Sequence, residues 1–324
     1  MALKPWYNHK AKAYFHGMKK KISLAFLTVF LFACSAQKKN INAETEIPKT
    51  LLWKISGKGI EHPSYLFGTI HMLCKDDALL SDSLKAAIKN SSQVYFEVDM
   101  DNLFEMMGAM TKMKMRNDTT LSDLLSKADY NKVKDYFNEK GGLLPFSVIE
   151  KYKPFLAAST MMEGNMPCEE SLAMEQVIMQ EAVKDKKKIN GLETLTYQLS
   201  IFDSIPYRTQ ANLLLKYIES GQDSKDAMRE YNELLKAYKD QDLNKLEKLT
   251  RDDDMGIANF EDLLLYNRNR NWVKKLSTLL LDKPLTIAVG AGHLPGNQGL
   301  LNLLRKEGFT VEPVRNEVVL KTKL

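Results

Sequence analysis

The chain is poor in the residues and motifs that usually announce a chemistry. Its 324 residues hold three cysteines and five histidines, so at most one disulfide can form. No His-Glu-x-x-His helix, Gly-x-Ser-x-Gly turn or glycine-rich phosphate loop occurs. That removes the compact zinc-protease, serine-hydrolase and P-loop signatures. No solenoid repeat is present, and no basic stripe carries interleaved aromatics, so nucleic acid is not an expected partner. The net charge of +5 comes from the leader: six of the 46 lysines and arginines lie in residues 1–33, which carry no acid. The remainder has 40 basic against 41 acidic residues, a net of −1.

The leader reads as a secretion signal, residues 1–33, with its effective start at Met18. Lys19, Lys20 and Lys21 precede an apolar stretch from Ile22 to Ala33, too short for a comfortable membrane span. The alternative is an uncleaved anchor helix. Leu31-Phe32-Ala33-Cys34 resembles a bacterial lipobox, with Phe32 larger than usual. Cys34 is therefore the expected lipidation site, residues 34–49 a lipidated N-terminus and linker, and the bacterial cell envelope the expected location. The membrane would then be a partner through the anchor. In an oxidising envelope Cys74 and Cys168 can pair as a disulfide; two free buried thiols are the other reading.

Residues 50–324 read as one α/β domain. Alternating apolar runs at Leu51–Ser56 and Ser64–Gly68 flank Gly57-Lys58-Gly59 as a hairpin. Ser81 or Asp82 caps a helix to Asn90. Gln93–Asp99 is a strand, with Val94, Phe96 and Val98 on one face. From 101 to about 281 the periodicity is helical, interrupted at Lys188-Ile189-Asn190. Leu103, Met106, Met107, Met110 and Met113 share one helix face, expected as adaptable core or contact surface. The chain closes with a strand at Leu285–Val289, a helix at Gln298–Glu307, and strands at Thr310–Val314 and Val318–Leu320. The expected architecture is a central mixed sheet, built from N- and C-terminal segments, with a large helical middle region.

Two segments carry the chemistry: Gly68-Thr69-Ile70-His71 and Gly290-Ala291-Gly292-His293, each following an apolar strand-like run. Open α/β sheets place ligand-handling groups at the carboxyl ends of strands. Imidazole is both a ligand for zinc, manganese or cobalt and the base best suited to neutral pH. The glycine three residues earlier is expected to permit a tight turn. Glu97 ends the next strand and can complete a two-histidine, one-carboxylate metal set or activate water. Glu193, after the short strand, is the second candidate carboxylate. His62 reads as an ordinary turn residue.

These motifs, with Gly191-Leu192-Glu193-Thr194, Gln198, the Arg-Asn pairs at Arg268 and Arg270, and Gly299-Leu300, resemble the TraB/GumN family, which includes the TIKI metalloproteases. The resemblance covers about residues 50–315. It implies a fold related to erythromycin esterase and ChaN-like proteins and, for TIKI-type members, metal-dependent peptide cleavage. It favours Arg268 over Arg270 as the arginine that reaches the site; two residues apart on a helix, both cannot. The expected catalytic set is His71, Glu97, Glu193, His293 and Arg268, with His71, His293 and Glu97 as metal ligands. The expected function is an envelope lipoprotein hydrolase acting on a peptide or small molecule. The alternative is a lipoprotein that binds peptide or haem in the same cleft without turnover.

Overall fold

The computed structural model describes residues 47–318, apart from 100, 141–143, 165–167, 221–224 and 252–259. The leader and Cys34 lie outside the described residues. The strands are β1 (Leu52–Ser56), β2 (Ser64–Thr69), β3 (Leu73–Cys74), β4 (Gln93–Val98), β5 (Ser171–Leu172), β6 (Lys188–Glu193), β7 (Leu285–Gly290) and β8 (Thr310–Val314). Six of them form one mixed sheet in the order β6-β4-β7-β2-β1-β8. The β6/β4, β4/β7 and β7/β2 pairs are parallel, whereas β1 runs antiparallel to both β2 and β8. A strand from the C-terminal part is thus inserted between two from the N-terminal part.

The local sequence explains these elements. β7 reads Leu-Thr-Ile-Ala-Val-Gly and is buried from Leu285 to Val289, as a parallel strand covered on both faces must be. The β1–β2 hairpin turns at Gly57, Lys58 and Gly59, all with positive φ, which glycine adopts without steric cost. Ser81 caps the Asp82–Asn90 helix by accepting from the Leu84 amide. The main apolar core includes Trp53, Phe67, Phe96, Trp272 and Leu276, drawn from the sheet and the helices packed on it. A second cluster joins the helical segments through Val133, Phe137, Phe146, Ile149 and Leu214.

Several boundaries differ from the sequence expectation. The Lys188–Asn190 interruption is a full strand to Glu193 and forms an edge of the central sheet. The helical stretch from 101 is also broken before Met174, because Ser171 and Leu172 pair with Cys74 and Leu73 in a small ladder. Further upstream it divides into Leu121–Leu124 and Lys127–Lys140. Val318 is not in a strand, and 319–320 lie outside the described residues. The methionine-rich helix spans Leu103–Met110 and turns its apolar stripe outward: Phe104 is 91% exposed, and Leu103, Met107 and Met110 are also exposed. Ala109 is its buried residue, so that stripe is surface and not core. No helix among the described residues is long and apolar enough to cross a membrane.

Two ties fasten the helical part. Cys74 and Cys168 form a disulfide with Cα atoms 5.8 Å apart, closing 94 residues of sequence. Lys153, fully buried, donates to the Leu199 carbonyl at 2.7 Å and pairs with Asp203 at 2.9 Å. Burial works against the Asp203 charge, but Tyr207, Lys153 and Arg116 outweigh it and hold its pKa below the usual carboxylate value.

Replacing Cys74 and Cys168 together by Ser should lower the unfolding free energy by about 2–4 kcal/mol, read by urea denaturation. An unchanged midpoint would contradict the clamp. Asp203→Ala leaves Lys153 buried and unpaired and should cost about 3–5 kcal/mol. Because the folded Asp203 pKa lies below the unfolded one, its contribution is complete above the unfolded value and fades as the pH falls through that value toward the folded one. Chemical melts across that range should show Asp203→Asn with a shallower acid loss than wild type.

Candidate active site

Four neighbouring parallel strands deliver their ends to one edge. In register, Val98 lies beside Glu193, Phe96 beside Ala288, and Thr69 beside Gly290. Glu193 and Glu97 therefore stand at the carboxyl ends of β6 and β4, while His293 and His71 follow directly from β7 and β2. This is the crevice position expected of an α/β sheet. The two motif glycines make room there without providing turns, since neither has a positive φ. A Cβ on Gly68 would lie 3.1 Å from Ala291, and one on Gly290 would lie 3.2 Å from the Glu97 carboxylate.

Arg268 joins the cluster. It projects from the buried face of the Asn267–Asp282 helix, together with Asn269 and Trp272. Its Nε donates to Glu193 Oε1 at 2.9 Å, its Nη2 to Glu97 Oε2, and its Nη1 to the Leu264 carbonyl at 2.8 Å. Nη1 also lies 3.2 Å from His293 Nε2. Arg270 bonds to Asn267 and is partly exposed, so the choice between the two arginines falls to Arg268. Each remaining acceptor of the carboxylates is also occupied. The Gly290 amide donates to Glu97 Oε1 at 2.8 Å and Gln198 to Oε2 at 3.0 Å. The Trp272 indole donates to Glu193 Oε2 at 2.9 Å.

His293 is buried with its ring 4.5 Å from that of Trp272. Its Nδ1 lies 2.6 Å from Asn269 Oδ1. An amide oxygen only accepts, so Nδ1 carries the proton and Nε2 presents a lone pair to the guanidinium. Burial, assisted by the charges of Arg268 and His71, lowers its pKa to about 3 against the pull of Glu97. Burial also opposes the charge of Glu97, yet its pKa falls to about 2. The charges that His293, Arg268 and His71 carry at the acidity where Glu97 would take up a proton, together with the Gly290 amide, outweigh burial. Glu193 moves the other way: burial and the Glu97 charge raise it against its bonds to Arg268 and Trp272. Two carboxylates pushed apart in acidity are a common basis for divided acid and base roles.

His71 is the exposed member, with 70% of its side chain accessible. Its Nδ1 lies 2.9 Å from Glu175 Oε1, which also accepts from the Thr69 hydroxyl. The Glu175 hydrogen bond raises the His71 pKa to about 9, helped by the Glu175 and Glu97 charges. Sequence reading brought out His71, Glu97, Glu193, His293 and Arg268, met Asn269 and Trp272 only as part of the Arg-Asn motif without a role, and missed Glu175. Glu175 resembles any acid in a first helical turn; the available signal was its place three residues before Ile178 on the apolar face of the Met174–Lys184 helix.

An α/β protein with charged groups at the carboxyl edge of its sheet is the class this geometry defines. The profile of the TraB/PrgY/gumN family matches residues 51–313, and the chain belongs to that family. It is 25% identical over 317 residues to metalloprotease TIKI1 of Homo sapiens, covering 81% of this chain and 61% of the relative. Against metalloprotease TIKI2 of Danio rerio it is 22% identical over 315 residues, with 81% and 60% covered. A metalloprotease TIKI homolog of Nematostella vectensis is 21% identical over 355 residues, covering 90% of this chain and 75% of the relative. The chain thus spans about three fifths of the length of the first two. No solved structure matches it.

The relatives' names imply a metal, and the donors can be tested for it. Among the described residues no group of three His, Cys, Asp or Glu side chains is arranged to hold one. The expected set of His71, His293 and Glu97 does not fit as placed. His293 Nε2 and Glu97 Oε1 lie 3.7 Å apart, but the Arg268 guanidinium already provides the cation that both face. His71 is turned to Glu175 instead. Removing the guanidinium should therefore be costly: Arg268→Ala leaves buried carboxylates without their counter-charge and should destabilise the fold by about 3–5 kcal/mol. Thermal and urea melts check this, and a loss below about 1 kcal/mol would show that the cluster does not depend on Arg268.

Proposed function

We propose that this protein is a lipid-anchored, envelope-facing hydrolase that cleaves polypeptide. The observation that carries the reading is the exposed His71 imidazole standing at the carboxyl edge beside the Glu97–Arg268–Glu193–His293 cluster. The names of the TIKI relatives add the substrate class. The raised pKa keeps His71 protonated near neutral pH, and its Nε2 has no partner among the described residues. An imidazolium so placed can polarise a scissile carbonyl and pass its proton to the departing amine. Arg268, Gln198 and the Gly290 amide hold Glu97 as a carboxylate. It becomes a base for water only when substrate draws Arg268 or Gln198 away from Oε2. The outward stripe of Leu103, Phe104, Met107 and Met110 follows β4 directly and offers apolar contact to an extended chain.

A second reading, binding without turnover, is favoured by the saturation of the buried groups, since every carboxylate oxygen of Glu97 and Glu193 is engaged. Within that reading His293 is a poor haem ligand, because both ring nitrogens are occupied and the ring is buried.

Unfolded polypeptides and a mixed peptide library, analysed by mass spectrometry for new termini, separate the two. Wild type should cleave. His71→Ala should lose activity by roughly 10²–10⁴-fold while keeping its circular dichroism. Saturable binding with no cleavage under any condition would establish the second reading. The anchor is tested separately: Cys34→Ser should abolish incorporation of labelled fatty acid and release the protein from the membrane fraction. Persistent labelling would overturn the assignment of Cys34.

A further inference from the structure

Glu175 is a carboxylate that the hydrolytic reading does not yet use. It is buried, and Oε1 alone makes both of its described contacts, to the Thr69 hydroxyl and to His71 Nδ1. Oε2 is buried with no hydrogen-bond partner among the described residues. A buried, half-satisfied carboxylate is costly to maintain. An apolar side chain would fill a purely structural position on this helix face at lower cost.

The surrounding chain holds this acid against the histidine from several directions. The Met174 amide donates to the Ile70 carbonyl at 3.1 Å, which fixes the start of the Met174–Lys184 helix to the end of β2. The β3/β5 ladder pairs Leu73 with Leu172 and Cys74 with Ser171, joining the segment after His71 to the segment before Glu175. The Cys74–Cys168 disulfide closes the same junction. His71 is thus the exposed group of the site, yet its Nδ1 side is held by buried, covalently tied structure.

We propose that Glu175 is a positioning residue: by accepting the Nδ1 proton of His71 it fixes the ring so that Nε2 faces outward, toward substrate. This rests on the reading of His71 as the acting group. A carboxylate behind a functional imidazole commonly sets ring orientation and the site of protonation in this way. The carboxylate does not itself touch substrate.

The test uses the full-length protein labelled with 15N-histidine. Wild type should show one strongly deshielded, exchange-protected Nδ1 proton that is absent from His71→Asn. Glu175→Ala should lose that resonance while keeping its near-ultraviolet circular dichroism. Glu175→Gln, whose amide oxygen can still accept, should retain it. In the cleavage assay Glu175→Ala should lose about 10–100-fold in kcat with KM unchanged, and Glu175→Gln should recover most of that loss. A resonance that persists in Glu175→Ala, or is missing from wild type, overturns the proposal. If wild type shows the resonance but cleaves no polypeptide, the hydrolase reading falls while the orienting role of Glu175 stands.

Discussion

Much of this structure is organised around one guanidinium. Arg268 lies where the carboxyl ends of β4 and β6 meet the loop after β7, and it contacts Glu97, Glu193 and His293 together. Two acids and an imidazole could not share that volume, removed from water, without a counter-charge. The planar fork of arginine meets them in several directions at once, which a lysine could not do. Trp272 and Asn269, on the same helix face, fix the outer sides of Glu193 and His293. One helix thus sets both the charge balance and the orientation of the cluster.

The consequence is a site in two parts. The inner part is saturated: its hydrogen bonds are paired, and Glu97 and His293 are held in their deprotonated forms near neutral pH. The outer part is His71, exposed and cationic, whose inward nitrogen is held by Glu175. Membership of the TraB/PrgY/gumN family places the chain among relatives named as metalloproteases. In this arrangement, however, the position between Glu97 and His293 belongs to an organic cation.

The glycines of the two Gly-x-x-His segments show how a residue can be singled out for the wrong reason. Their expected role was conformational freedom. Their actual role is close approach, Gly68 to Ala291 and Gly290 to the Glu97 carboxylate. The amide of Gly290 also donates to that carboxylate, so a side chain there would crowd the group its own backbone holds. Likewise, the apolar stripe from Leu103 to Met110 has a helical period whether it faces core or solvent. Periodicity identifies a face and does not say what covers it.

Sequence alone determined the α/β class and the strand-forming runs that lead to His71, Glu97 and His293, and it proposed these residues with Glu193 as the chemical set. Each is a local property: a strand-forming run with a candidate side chain at or just beyond its carboxyl end. It favoured Arg268 over Arg270 only through the family resemblance and gave no sign of Glu175. It also shortened β6, because a strand whose partner lies far away in sequence has little local signature. Tertiary structure decided which arginine faced inward, which histidine was buried and which acid lay behind His71. Those outcomes depend on contacts such as Thr69 with Glu175 or Glu97 with Arg268, separated by 106 and 171 residues. Local propensity and spacing carry no information across such distances, whereas packing around a shared buried charge does.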